Sequence, residues 1–189
     1  MIVFIMFEGI VLGHVALRLY AKAHQARLKP RGEIHQPELL GQMVRAYLLI
    51  TAAAFTERVL GLWPFHWYVA WIGLGIYAIA AFLQWQAFRD LGDAYSPEIE
   101  VRSEQSLVQH GLYGWVRHPL LASLILELLG VTLFFNAYAS AVLTLFGFIP
   151  VVRKRLREEE RILMIHFGEA YQRYTSEVGA LFPKRRHSS

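Results

Sequence analysis

Cysteine is absent from this chain of 189 residues. Its absence excludes disulfide bonds, a thiolate nucleophile and metal sites built on thiolates. Eight histidines are present, but they are dispersed, and none forms a pair with carboxylates at metal-ligand spacing. We therefore expect no resident metal ion.

Charged side chains are scarce as well. They make up 18% of the residues and hydrophobic residues 55%, compared with roughly 25% and 45–50% in ordinary soluble domains. The apolar residues gather into long runs separated by short charged stretches. This pattern is typical of a protein that crosses a membrane several times.

The motifs of common soluble enzymes are also missing, since there is no HExxH pair, no GxSxG elbow and no phosphate-binding loop. Gly73 and Gly75, followed by Ala78, imitate a dinucleotide-binding fingerprint, but no strand precedes them. They lie inside an apolar run, so we expect both glycines to allow close packing between helices.

Five apolar runs approach the roughly 20 helical residues that a hydrocarbon core of about 30 Å requires. The predicted spans are Ile2 to about Tyr20, Gly41 to Leu62, Trp67 to Phe88, Pro119 to Phe135, and Ala137 to Val152. The last two are joined near Asn136 and are expected to form a helical hairpin. Residues 21–23 resemble a signal-peptide cleavage site, but polar residues interrupt the preceding run, so a first transmembrane helix is expected.

The basic residues predict the orientation of these spans. All of the 19 Lys and Arg residues except Arg45 and Arg58 lie in three connecting segments, residues 18–40, 89–118 and 153–189. By the positive-inside rule these segments are cytoplasmic. We therefore expect the N-terminus outside and the C-terminus in the cytoplasm. Nucleic-acid binding is not needed to explain the positive net charge.

Two polar stretches lie near the predicted spans. Residues 107–121 run through a glycine-containing loop into Arg117, His118 and Pro119, and Pro119 suits the first turn of a helix. Residues 153–174 carry an apolar stripe at helical spacing and predict an amphipathic helix, broken at Gly168. On composition alone, Arg117 would anchor to lipid headgroups, His118 would cap the helix, and the later stretch would lie on the membrane surface.

Together the two stretches resemble the membrane methyltransferases typified by isoprenylcysteine carboxyl methyltransferase and its phospholipid-methylating relatives. The family pattern is roughly G-x-Y-x-x-x-R-H-P-x-Y, a helical hairpin, and then E-E-x-x-L-x-x-x-F-G-x-x-Y-x-x-Y. It is matched in order and spacing over about residues 88–183. The matching residues are Gly111, Tyr113, Arg117, His118 and Pro119, and then Glu159, Glu160, Leu163, Phe167, Gly168, Tyr171 and Tyr174.

The resemblance implies a cytoplasmic S-adenosylmethionine site without a Rossmann fold. By family analogy, Glu159 accepts hydrogen bonds from the donor, and Tyr113 and His118 line its pocket. Four consecutive residues correspond to the family's donor-contacting loop, namely Gln105, Ser106, Leu107 and Val108. Leu121 stands where the family has a tyrosine, which removes a hydroxyl or ring from the wall of the donor pocket.

Two further charged residues are candidates, Arg155 for binding the acceptor and Glu127 mainly for a structural role. Arg155 lies where carboxyl-methylating relatives place an arginine that orients the substrate carboxylate; the alternative is one more positive anchor on the cytoplasmic side. Glu127 lies inside the fourth predicted span, where a charge costs roughly 2.5–3.5 kcal/mol on insertion scales. Arg45 or His14 could be its partner, in a structural role or in recognition of a polar group on the substrate.

The sequence thus predicts an all-α membrane bundle of about five transmembrane helices with a cytoplasmic C-terminal amphipathic helix. Residues 1–189 would form one methyltransferase domain, with a three-helix part over 1–88 and a donor-binding part over 89–189. The expected partners are an amphiphilic, lipid-like small molecule and membrane lipids. Carboxyl O-methylation of an isoprenylcysteine-like or other lipidic carboxylate is the first hypothesis. Methylation of a phospholipid amine or a phenolic lipid, or a non-catalytic carrier or scaffold, are the alternatives.

Overall fold

A computed structural model describes residues 2–14, 33–96, 98–101 and 106–184, and this part of the chain is mostly helical. The long helices are α1 (Ile2–His14), α2 (Glu38–Leu60), α3 (Trp67–Leu91), α4 (Pro119–Phe134) and α6 (Ile149–Phe167). Shorter ones are α5 (Tyr138–Leu143) and α7 (Glu169–Glu177). Two 3₁₀ turns, Gly92–Ala94 and Gly111–Gly114, lie between α3 and α4.

Two short strands depart from the all-α expectation. Strand β1 (Glu33–His35) pairs antiparallel with β2 (Ile99–Val101), and His35 lies opposite Ile99. Ile99 is buried in a small cluster with Leu39 and Ile162. Strands of three residues are too short to show an alternating pattern, which is why the sequence did not predict them.

The described helices fit a membrane environment. Two of them, α2 and α3, are long and apolar enough to cross a membrane by length and composition, whereas α1 and α4 are apolar but shorter. Large apolar side chains remain exposed along α3. Among them are Trp71, Ile79 and Phe82, each at least 58% exposed. Exposed apolar surface of this extent is typical of a face that contacts lipid or another apolar partner. The part of the first predicted span beyond His14 lies outside the described residues.

The predicted helical hairpin is present, but its second arm is longer than expected. Helix α4 ends at Phe134, and α5 begins at Tyr138. From there, α5, a π-helical turn (Thr144–Phe148) and α6 follow one another directly as far as Phe167. The fifth predicted span and the amphipathic stretch are therefore parts of one helical rod, with no break near Val152. The break expected at Gly168 is present, where φ is +53°.

Glycines allow α3 and α4 to pack in close contact. A Cβ placed on Gly73 would lie 2.3 Å from the backbone nitrogen of Phe134, and one on Gly130 would lie 2.7 Å from that of Tyr77. The close-packing role predicted for Gly73 is confirmed. The same prediction for Gly75 is wrong, because a Cβ there would meet nothing within 4 Å.

The intramembrane carboxylate of Glu127 joins four helices. It is fully buried and accepts hydrogen bonds from the Tyr47 hydroxyl at 3.0 Å and the Gln84 amide at 2.8 Å. Nδ1 of His14 lies 3.3 Å from the same carboxylate. His14 is therefore the partner, whereas Arg45 is exposed on α2. These contacts from α1, α2 and α3 to α4 favour the structural role for Glu127.

Candidate active site

A cavity of about 230 Å³ opens among the ends of α2, α3, α4, α6 and α7. Every predicted site residue that the structure describes lines it; these are Ser106, Leu107, Val108, Tyr113, His118, Leu121, Arg155 and Glu159. The remaining predicted residue, Gln105, lies outside the described residues. Residues more than 50 positions apart in sequence thus meet around one space, as the two family motifs predict.

The polar centre of this cavity is His118 between two carboxylates of α6. Pro119 at the first position of α4 fixes the start of that helix, and His118 immediately precedes it. The imidazole is 4% exposed, with Nδ1 3.6 Å from Glu159 and Nε2 3.3 Å from Glu160. His118 makes no side-chain hydrogen bond to the helix N-terminus, so the capping role considered for it is wrong.

The protonation states of this cluster follow from its contacts. Burial alone lowers the pKa of His118, but hydrogen bonds and negative charge from Glu159 and Glu160 outweigh it and raise the pKa to about 9. Burial acts to raise the pKa of both carboxyls, yet contacts with His118 hold the pKa of each below its ordinary value. At neutral pH the cluster therefore contains an imidazolium and two carboxylates.

Arg117 links the N-terminal end of α4 to α6 and to the C-terminal part of the chain. Its guanidinium donates to Glu160 through Nε at 3.0 Å and Nη2 at 2.5 Å, and also to the backbone oxygen of Val178. The backbone amides of Arg117 and His118 donate to Gly179 and Ala180 at 2.8 and 3.0 Å. The Arg117 guanidinium thus binds groups of the protein itself, and its interpretation as an anchor to lipid headgroups is wrong.

Tyr113 forms part of the cavity wall on the 3₁₀ turn Gly111–Gly114 and is 7% exposed. The hydroxyl of Tyr174, on α7, donates to the backbone oxygen of Tyr113 at 2.6 Å. Burial and the nearby charge of Glu159 raise the pKa of the Tyr113 phenol above its ordinary range. Burial likewise raises the pKa of Tyr174 to about 12. Both phenols are therefore neutral at physiological pH.

Among the basic residues 153–157 near the start of α6, Arg155 has a buried side chain that lines the cavity. It is 6% exposed, and its Nε lies 4.0 Å from Glu159. The neighbouring Arg153, Lys154 and Arg157 are exposed. Burial beside the cavity is incompatible with a headgroup anchor and favours a role in the site.

Most of the rest of the wall is apolar, although Gln84, Ser96, Glu98 and Glu100 also line it. The sequence predicted only part of it. Helix α2 contributes Leu40, Met43, Val44 and Tyr47, and α4 contributes Leu120, Leu121 and Leu124. Leu121, the residue that replaces the family tyrosine, is 6% exposed here. The spacing of the α2 residues, three and four apart, could have indicated one helical face. Nothing in the sequence indicated that this face of α2 borders the two family motifs.

We expect the stability of the protein to fall with rising pH as His118 loses its proton. The folded-state pKa of about 9 lies above the ordinary value of 6.5, so this stabilisation is complete below about pH 6.5 and is lost as the pH rises through about 9. Thermal unfolding measured across that window should show a falling midpoint in the wild type. His118→Gln should lose this pH-dependent component, and an unchanged slope in that variant would contradict the assignment.

The sequence profile of the isoprenylcysteine carboxyl methyltransferase (ICMT) family matches residues 71–165. The chain is 24% identical over 160 residues to the uncharacterized protein YpbQ of Bacillus subtilis, covering 82% of this chain and 92% of that protein. It is 25% identical to the protein-S-isoprenylcysteine O-methyltransferase of Schizosaccharomyces pombe (58% of this chain, 48% of that enzyme). For the Tribolium castaneum enzyme of that name the identity is 29% (65% and 44%).

A solved structure has the same fold. It is that of a eukaryotic intramembrane Ras methyltransferase, ICMT, and it superimposes with a TM-score of 0.65 at 24% identity, covering 76% of this chain and 52% of the other. The chain thus spans about half the length of these methyltransferases.

Proposed function

Because the chain belongs to the isoprenylcysteine carboxyl methyltransferase family, we propose that it transfers a methyl group from S-adenosylmethionine to a lipid-like carboxylate. One observation carries the proposal. A single cavity borders an ionised His–Glu cluster, a buried arginine and an apolar wall supplied by the membrane helices. Such a space can receive a charged polar donor and an amphiphilic acceptor at the same time.

The donor side of the cavity is assigned to Glu159, Tyr113, His118 and the segment 106–108. S-adenosylmethionine supplies an electrophilic methyl group on a sulfonium cation. The Glu159 side chain is 31% exposed and ionised, so it can accept charge-assisted hydrogen bonds from the hydroxyls or ammonium of the donor. The neutral ring of Tyr113 offers an aromatic face to the positive sulfur. Leu121 fills the wall without a hydroxyl.

The acceptor side is assigned to Arg155 and the apolar residues of α2 and α4. A carboxylate nucleophile needs no general base, so holding it in line is the main task of the protein. A guanidinium fork can hold both oxygens of a carboxylate at once. The apolar wall would bury the lipid part and keep water away from the reacting atoms.

The membrane arrangement completes the proposal. We place about five transmembrane segments in the bilayer, with the N-terminus outside and the donor cavity and the C-terminus on the cytoplasmic side. The support is the positive-inside distribution of Lys and Arg, because the cavity lies at the ends of the helices that adjoin the basic segments. The acceptor would then enter laterally from the bilayer.

A phenolic lipid or a phospholipid amine is the second candidate acceptor. The observation in its favour is that Glu159 lies 4.0 Å from Arg155 and offsets part of the charge that would attract a carboxylate. A non-catalytic carrier remains the alternative from another class, because Leu121 removes a family side chain from the donor wall.

Methyl transfer in lipid nanodiscs tests these alternatives directly. The purified protein is incubated with methyl-tritiated S-adenosylmethionine and, separately, N-acetyl-S-farnesylcysteine, phosphatidylethanolamine or a long-chain alkylphenol. We expect base-labile label, released as methanol, with the first acceptor, because only a methyl ester is readily hydrolysed. Base-stable label with another acceptor would move the assignment to an amine or a phenol. Donor binding without transfer to any acceptor would favour a carrier. Glu169→Ala, at an exposed site, serves as the control.

A further inference from the structure

The 3₁₀ turn that carries Tyr113 is held by a carboxylate outside the cavity. Asp90, in the last turn of α3, accepts a hydrogen bond from the backbone amide of Leu112 through Oδ2 at 2.8 Å. Its other oxygen, Oδ1, accepts from the side-chain amide of Gln86 at 2.7 Å. The carboxylate is thus fixed on its own helix by Gln86 and reaches across to the turn.

Gly111 allows this carboxylate to approach the turn. Its φ is +58°, a conformation that residues with a side chain rarely adopt. A Cβ placed on Gly111 would lie 2.2 Å from Oδ2 and 2.4 Å from Cγ of Asp90. The carboxylate therefore occupies the space that any side chain at position 111 would need. The glycine at the start of the G-x-Y pattern and the aspartate 21 positions earlier form one structural unit.

A second contact holds the turn, because the Tyr174 hydroxyl of α7 donates to the backbone oxygen of Tyr113. Asp90 thus fixes the amide that precedes Tyr113 to α3, and Tyr174 fixes the carbonyl of Tyr113 to α7. Between these two attachments the Tyr113 ring is buried in the wall of the cavity.

We propose that Asp90 is a positioning residue for the methyl donor, acting through the backbone of the Gly111–Gly114 turn to hold Tyr113 against the donor. The inference rests on the proposed function, since it concerns the site assigned above to S-adenosylmethionine. Asp90 does not contact the donor. Its loss lets the turn shift and weakens donor binding, whereas Arg155 and Glu159 on α6 keep their positions.

Donor affinity measured by calorimetry on the full-length protein in nanodiscs tests this role. Asp90→Ala should weaken S-adenosylmethionine binding about tenfold and raise the donor KM in parallel, with kcat at saturating donor within about threefold of the wild type. Asp90→Asn keeps an oxygen that can accept from the Leu112 amide, so it should restore most of the affinity. Thermal unfolding, measured alongside, identifies a variant that fails to fold.

A double-mutant cycle with Gly111→Ala makes the test specific. In the wild-type background the new methyl group collides with the Asp90 carboxylate, and donor binding should weaken at least tenfold. In the Asp90→Ala background the collision with the carboxylate is gone and only the strain of a side chain at φ +58° remains, so the added effect of Gly111→Ala should be smaller.

Two results would overturn the inference while leaving the proposed function in place. One is unchanged donor affinity in Asp90→Ala, and the other is independent effects of the two substitutions in a wild type that binds the donor. A well-folded wild type that does not bind S-adenosylmethionine would overturn the proposed function, and this inference with it.

Discussion

Arg155→Ala is expected to lower kcat/KM for a lipid carboxylate acceptor by about 100-fold or more, which corresponds to about 2.7 kcal/mol of transition-state stabilisation. The side chain is buried and lines the cavity, so it can hold a carboxylate in a site with little water. Arg155→Lys keeps the charge but loses the planar fork, and should retain intermediate activity. Donor affinity should change by no more than about threefold in either variant.

The matched control for this prediction is Arg157→Ala on the same helix. Arg157 is exposed, so its removal subtracts the same charge from the same segment without touching the cavity. Methyl transfer to N-acetyl-S-farnesylcysteine should remain near the wild-type rate. If Arg155→Ala were as active as Arg157→Ala, the acceptor would not be a carboxylate held by Arg155, and an amine or a phenol would become the better candidate.

Gly73→Ala is expected to destabilise the protein by about 1–3 kcal/mol or to prevent folding, because inserting a methyl group into a close-packed interface forces the backbone apart. The new Cβ would lie 2.3 Å from the Phe134 nitrogen and 2.7 Å from the Gly130 oxygen. Both are backbone atoms, so no side-chain rotation relieves the collision. Thermal unfolding in a mild detergent measures the effect.

Gly75→Ala provides the comparison within the same helix. Nothing lies within 4 Å of the Cβ that it would add, and alanine favours a helix over glycine by about 1 kcal/mol. We expect an unchanged or slightly higher unfolding midpoint. Equal destabilisation by the two substitutions would show that α3 does not pack on α4 at Gly73 as described.

The group of side chains that meets around His118 was predictable because two local patterns specify it. The residues from Gly111 to Pro119 and from Glu159 to Tyr174 each form one short segment of known spacing, and a helical hairpin brings the two together. Their roles were less predictable. From the sequence, Arg117 was interpreted as an anchor to lipid headgroups. In the structure it binds Glu160 and the backbone oxygen of Val178. Contacts with residues 43 and 61 positions away cannot be deduced from local periodicity.

The apolar part of the cavity wall depended on how the helices rotate about their axes, which hydropathy does not specify. Helix rotation decides that Met43 and Tyr47 of α2 line the cavity. It also decides that Gly73 packs closely on α4 while Gly75 does not. The rod from α5 to α6 illustrates a further limit. Hydropathy falls near Val152, whereas the backbone remains helical through this position.

S-adenosylmethionine binding to the purified protein in nanodiscs, measured by calorimetry for the wild type, Glu159→Ala and His118→Ala, is the decisive experiment. We expect saturable binding by the wild type that each substitution weakens tenfold or more, about 1.4 kcal/mol each. Absence of binding by well-folded wild type, or binding that both substitutions leave unchanged, would contradict the assignment of this cavity to a methyl donor.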